Sequence, residues 1–202
     1  MRKLVILWLG FCCFGPSASA APAQPSGDDW PCVQRRTGTI SAAAIWSGPD
    51  LAQAGAWEDD SEAAALARKL ASRRTSIEEG DKLLDEFAAK AGADKEKRLT
   101  LVFAGVLEII NNERDRVLSG ISRYARGQNH LAEKVRADSD AVGDAQEASD
   151  SPPQKREEAE QSLKWDKRIF EERSRSLTYV CETPGLLERR AFDIARRIQQ
   201  RF

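Results

Sequence analysis

From Leu99 to Ala145 apolar residues recur at steps of three and four almost without a fault, through Phe103, Val106, Ile110, Val117, Ile121 and Tyr124 and on to Leu131, Val135 and Val142. That spacing turns one face of a helix toward a partner helix along its whole length. It predicts a helix over 95–149, roughly 80 Å long at 1.5 Å per residue. Glu113, Gln128 and Asp138 interrupt the stripe, and Asn111 and Asn112 lie beside it. Gly127 is its weak point. The reading keeps one helix through Gly127; the alternative is that 126–129 end one helix and cap the next.

A helix of that length needs a partner. Ser151-Pro152-Pro153-Gln154 forces a turn, with Ser151 as cap, Pro152 at the first helical position and Gln154 completing a capping box. A second stripe follows on Ala159, Leu163, Phe170, Leu177 and Val180. A short connection makes neighbouring helices antiparallel. Folding back at Pro152 then sets Val142 near Leu163, Val135 near Phe170 and Tyr124 near Val180. Thr183-Pro184-Gly185 reads as another break, leaving a terminal helix over 186–202. Upstream, Asp59 with Glu62 and Thr75 with Glu78 fit capping boxes, and Asp94 can cap the long helix. The expected fold is all-α: an elongated antiparallel helical hairpin or bundle over 58–202, its hairpin at about 95–182, preceded by an irregular Trp-rich strap over 21–57.

The first twenty residues set the compartment. Arg2 and Lys3 lead into an apolar run over 4–15, and Ser17-Ala18-Ser19-Ala20 supplies small residues for cleavage. This is the pattern of a signal peptide, cut after Ala20. The run is shorter than the roughly 20 residues a spanning helix needs. Lipid attachment at Cys12 or Cys13 is the weaker alternative, because Phe11 and Cys12 precede them rather than a small residue. The expected location is a bacterial periplasm, with secretion as the alternative. Cleavage removes two basic residues and no acidic one, so the formal charge moves from -1 to 29 − 32 = -3. That balance gives no field for nucleic acid.

Cys32 and Cys181 survive cleavage. In an oxidising compartment they read as a disulfide, against the alternative of reactive or intermolecular thiols. The bridge would close a loop of about 150 residues, worth roughly 4–5 kcal/mol on the chain-entropy view. It would staple the strap to a late helix. Trp30, Trp46 and Trp57 fall in the strap; each is a peg against the helical core or, alternatively, a contact for a partner. Trp165 lies off the main seam, where the strap can cover it or where it can anchor a partner.

The residues exclude much chemistry. The chain has one histidine, His130, and its one methionine is Met1. There is no C-x-x-C-H for haem, no four-ligand zinc spacing, no Glu-x-x-His for a di-iron bundle and no G-x-S-x-G elbow. No cofactor or metal is expected. His130 sits in a polar stretch, and the acidic pairs lie at helix starts. Three features stand out. Asn111, Asn112, Glu113 and Gln128 either set register in the seam or line a small polar pocket. Arg189, Arg190, Arg196, Arg197 and Arg201 occupy the face opposite Leu187 and Ile194, either as a solvated bundle face or as a membrane-surface face. The tryptophans offer partner contacts. The expected function is a non-enzymatic exported accessory protein that binds another exported or membrane protein, with a homodimer possible. The alternatives are a periplasmic small-ligand module and a membrane-surface protein.

Overall fold

The computed structural model describes residues 30–148 and 152–202. The segment expected to be a signal peptide, the start of the strap and the expected Ser151 cap lie outside the described residues. Six α-helices follow in order: α1 (Ala42–Ile45), α2 (Leu51–Ala54), α3 (Ser61–Ala71), α4 (Ile77–Ala91), α5 (Lys95–Glu147) and α6 (Pro153–Gln199). Single 3-10 turns, Trp57–Asp59 and Gly92–Asp94, precede α3 and α5. The fold is all-α, and its frame is the antiparallel pair α5 and α6.

The helix α5 runs 53 residues without a break, through Gly127. Its buried line differs from the expected one in the middle. After Ile110 it passes through Arg114, Leu118, Ile121 and Ala125 before returning at Gln128. Glu113 and Tyr124 are exposed instead. A step of four after Ile110, rather than three, keeps the buried face turned toward both α6 and the strap. The hairpin register is also displaced. Lys134 meets Asp166 and Asp138 meets Ser162, about one helical turn from the expected pairing.

No separate terminal helix exists. α6 continues for 47 residues, with Pro184 inside it. Proline removes one backbone donor and crowds the preceding turn. Here the apolar step carries straight across it, through Leu177, Cys181, Pro184, Leu187, Ala191, Ile194 and Ile198. Cys181, Pro184, Leu187 and Ala191 are all buried. Packing on both sides outweighs one missing hydrogen bond.

The short helices close the head of the molecule. α3 starts one residue later than its expected cap: Asp60 accepts from the Ala63 N–H at 3.0 Å. For α4 the cap is Ser76, accepting from the Glu79 N–H, not Thr75, which is buried. Asp94 makes no side-chain cap. Asp60 also receives Nε of Arg98 at 2.6 Å, tying α3 to the start of α5. That guanidinium, helped by the Ala63 N–H, holds the Asp60 carboxyl at about 2, below its ordinary 3.8, despite the opposing effect of burial. A depressed carboxyl contributes stability above its ordinary pKa and loses it as pH falls through the folded value. Asp60→Asn is therefore expected to cost about 1–2 kcal/mol at pH 7, after solvent screening. It also flattens the acid limb of the stability curve between about pH 4 and 2. Urea titrations of both chains across that range check it.

The core cluster gathers Leu66, Leu70, Leu84, Phe103, Val106 and Ile110 with Leu187, Ile194 and Ile198. Two tryptophans of the strap plug into it. Trp46 stacks on Phe103 with ring centroids 4.1 Å apart and meets Phe202 edge-on. Trp57 is buried and donates through Nε1 to Glu108 at 2.9 Å. Gly105 makes this fit possible: a Cβ there would stand 2.8 Å from both Ala67 and the Trp57 ring. Gly105→Ala is expected to destabilise by about 1–3 kcal/mol, against the helix-propensity gain of alanine. A lowered thermal midpoint checks it, and an unchanged one would contradict the packing.

Candidate functional site

The strap is fastened at four places. Cys32 and Cys181 are joined by a disulfide, with Cα atoms 5.6 Å apart. Asn111 reads the backbone of Ile40 with both ends of its amide: Oδ1 accepts the Ile40 N–H at 2.9 Å and Nδ2 donates to the Ile40 carbonyl at 3.1 Å. Arg114, 1% exposed, donates to the Gly38 carbonyl and the Thr37 hydroxyl. Gln199 accepts from the Ser47 N–H at 3.1 Å and donates to the Ile45 carbonyl. Hydrogen bonds to the strap backbone take the place of a strand pairing, so the irregular segment needs no regular structure of its own.

These contacts decide the expected polar pocket. Asn111 is occupied by Ile40. Gln128, near residues 31–34 of the strap, donates to the Phe170 carbonyl at 3.2 Å and to Ser174 Oγ at 3.1 Å. Asn112 lines one shallow cleft beside Asn111 and, with Glu113, a second cleft that Asn111 does not reach. The four residues therefore do not form one site. The most deeply buried polar residue beside them is Arg114, which the sequence reading passed over. Its signal was the run Ile110, Arg114, Leu118 at steps of four.

The cleft reached by Asn112 and Glu113 has a volume of about 840 Å³. It lies where the end of α3 and the turn after it meet the middle of α5 and residues 183–190 of α6. Ile109, Leu186 and Leu187 form its apolar floor. Arg68, Arg73, Arg74, Arg116 and Arg190 ring it, with Glu113 as its one lining carboxylate. Arg190 ties α6 to the end of α3 and the turn after it. It donates to the Leu70 carbonyl at 2.7 Å, a backbone acceptor left over at the end of α3, and to the Thr75 carbonyl at 2.9 Å in the turn. Burial pushes its pKa down, with Asp193 opposing. Arg68 rests on the Trp57 ring at 5.7 Å, and Arg116 lies 3.7 Å from Glu113. Arg73 and Arg74 are exposed on the rim. Chemically, the cleft suits an anionic group carried next to an apolar one.

Beyond the head the hairpin is an arm. The core cluster ends at Ile110 on α5 and Leu187 on α6. Past Ile110, α5 runs on to Glu147, about 55 Å at 1.5 Å per residue. Polar struts hold its seam together. Lys134 bridges Asp138 at 3.1 Å and the buried Asp166, and Ser162 donates to Asp138. Hydrogen bonding to Asp166 and then Asp138 raises the Lys134 pKa, and the Lys134 bond lowers that of Asp138. The strut thus stabilises the arm between the ordinary carboxylate and ammonium ranges. It weakens as acid protonates Asp138 or base neutralises Lys134.

Other predicted site residues scatter. Trp46 and Trp57 serve the core, and Trp30 is half-buried, donating to the Gln34 carbonyl at 2.8 Å. Trp165 is 62% exposed on the arm; no described strap residue covers it. The five arginines of the last turns of α6 do not act as one face. Arg190 caps α3, while Arg197 and Arg201 pair with Asp81, and Arg201 also with Asp85 at 2.8 Å, docking α6 on α4. Arg196 lies over Phe192 and near Asp193, and Arg189 is exposed. His130 is exposed beside Glu133, 3.5 Å away. Among the described residues no three metal-ligating side chains converge, and no helix is long and apolar enough to cross a membrane. Compared with models of protein families, with curated proteins and with solved structures, the chain matches none.

Proposed function

We propose that this chain is an exported, non-enzymatic interaction protein of the bacterial envelope that binds another exported or membrane protein. The observation that carries the reading is the arm: two paired helices running about 55 Å past the core cluster, their first part flanked by the strap and the rest braced by polar struts. A small head does not need so long a projection for its own stability. A rigid projection with exposed aromatic residues offers the large surface that protein association requires. The Cys32–Cys181 bridge agrees with an oxidising compartment. Periplasmic location follows from the signal pattern of residues 1–20, and N-terminal sequencing of the exported chain is expected to begin at Ala21.

The test compares the full chain with one shortened by fourteen residues in each arm helix, over 134–147 and 153–166. The full chain is expected to capture a defined envelope protein from membrane and periplasmic extracts, and the shortened chain to lose it while its head stays helical by circular dichroism. Equal capture by both chains, or capture by neither, would contradict the reading.

A further inference from the structure

Trp165, Glu172, Tyr179 and Leu186 stand seven residues apart on α6. They lie on the side opposite the seam that Asp166, Phe170, Leu177 and Cys181 turn toward α5. Trp165 is 62% exposed, Tyr179 75% and Leu186 39%. Large side chains at heptad spacing on the outer face of an already paired helix are the pattern that specifies a second helical partner. Trp165 and Tyr179 are open to solvent, while Leu186 ends the stripe at the rim of the cleft.

The two ends of the stripe carry opposite charge. At the head it runs into the arginine-ringed cleft, whose floor includes Leu186. At the tip, Glu157, Glu158 and Glu160 follow the turn beside Lys155 and Arg156, and Asp140, Asp144 and Glu147 add to them from α5; Lys164, Lys167 and Arg168 stand only further down α6, around Trp165. A stripe that is basic at one end and acidic at the other repels a parallel copy of itself and attracts an antiparallel one. We propose that two copies of this chain pair antiparallel through the outer faces of α6, with the acidic tip of each seated at the arginine cleft of the other.

The heptad spacing defines the register. A two-fold axis through Glu172 sets Trp165 of one copy against Tyr179 of the other, twice. It also sets Glu158 of each copy against Leu186 of the other, where the arginine rim begins. The two Glu172 side chains meet on the axis. Each already accepts from its own Arg168 at 3.0 Å, and Arg175 lies one turn away, so positive charge flanks the pair. The same patch serves both copies, which makes the interface self-complementary and closed. The proposal uses the same exposed aromatics of the arm as the envelope reading, but the purified chain alone tests it, so the two fail separately.

Sedimentation velocity of the purified mature chain, over a concentration series at low and high salt, is the experiment. The expected result is a dimer that dissociates on dilution and more readily in salt. Trp165→Ser with Tyr179→Ser is expected to weaken it by roughly tenfold or more. Arg73→Glu with Arg74→Glu breaks it, and adding Glu157→Arg with Glu158→Arg to that same chain restores it. All six positions are exposed, so circular dichroism should show each variant folded. A monomer at every concentration would overturn the proposal, as would a dimer indifferent to these substitutions or a charge swap that fails to restore association.

Discussion

Replacing Cys32 and Cys181 together by alanine is expected to lower the unfolding free energy by about 4–5 kcal/mol. The bridge joins residues 149 apart in sequence. It therefore removes a large share of the loop-closure entropy that the open chain would lose on folding. Few apolar contacts secure the same segment: of residues 31–39, only Cys32 is not exposed. The head keeps its own cluster around Phe103 and Ile194 without the bridge. Far-UV circular dichroism should accordingly stay helical while the urea midpoint falls. Reduction of the parent chain should give the same midpoint as the double substitution. A shift of less than about 1 kcal/mol would mean that the strap is held by other contacts and that the loop is already closed without sulfur.

The second large effect is expected at Arg114. Its guanidinium is enclosed, bonds the Gly38 carbonyl and the Thr37 hydroxyl, and lies 4.0 Å from a carboxylate oxygen of Glu188, which is itself exposed. Its Nε has no partner among the described residues. Burying such a charge is costly, and the return comes from the strap oxygens. Arg114→Met keeps the stem and deletes the bonds. The expected loss is about 2–3 kcal/mol, because the strap acceptors can regain water while the ordering of residues 37–40 is lost. Arg114→Lys is not expected to rescue, since an ammonium cannot reproduce the fork that reaches both oxygens. Hydrogen exchange at the Ile40 amide, bonded to Asn111 beside this contact, should accelerate in the Met variant. A variant as stable as the parent, with Ile40 equally protected, would show that the arginine does not fasten the strap.

Much of the frame was legible because it follows from periodicity. The 3–4 step from Leu99 onward announces α5, and the prolines after Ser151 announce the return. The strap's tryptophans read as pegs, and Trp46 and Trp57 are pegs. The failures have physical causes. Pro184 is a strong local signal for a break, yet packing of Cys181, Leu187 and Ala191 overrides it, as tertiary context overrides propensity elsewhere. Glu113 was placed in the seam because Val117 and Leu118 are both apolar, so steps of three and four fit equally well there. Only the third partner, the strap, selects Leu118 and with it Arg114. The arginine cleft was not legible at all. Its five arginines come from α3, the turn after it, α5 and α6, and no spacing within one helix relates them. The basic face of the last turns misled for a similar reason: its partners Asp81 and Asp85 lie more than a hundred residues upstream.

Crosslinking of the tagged full chain inside intact cells, followed by denaturing capture and mass spectrometry, tests the central claim most directly. The account predicts one dominant second protein of the envelope, recovered in near-stoichiometric amount and joined through arm residues. Recovery of the chain crosslinked only to itself, or to nothing, would contradict it.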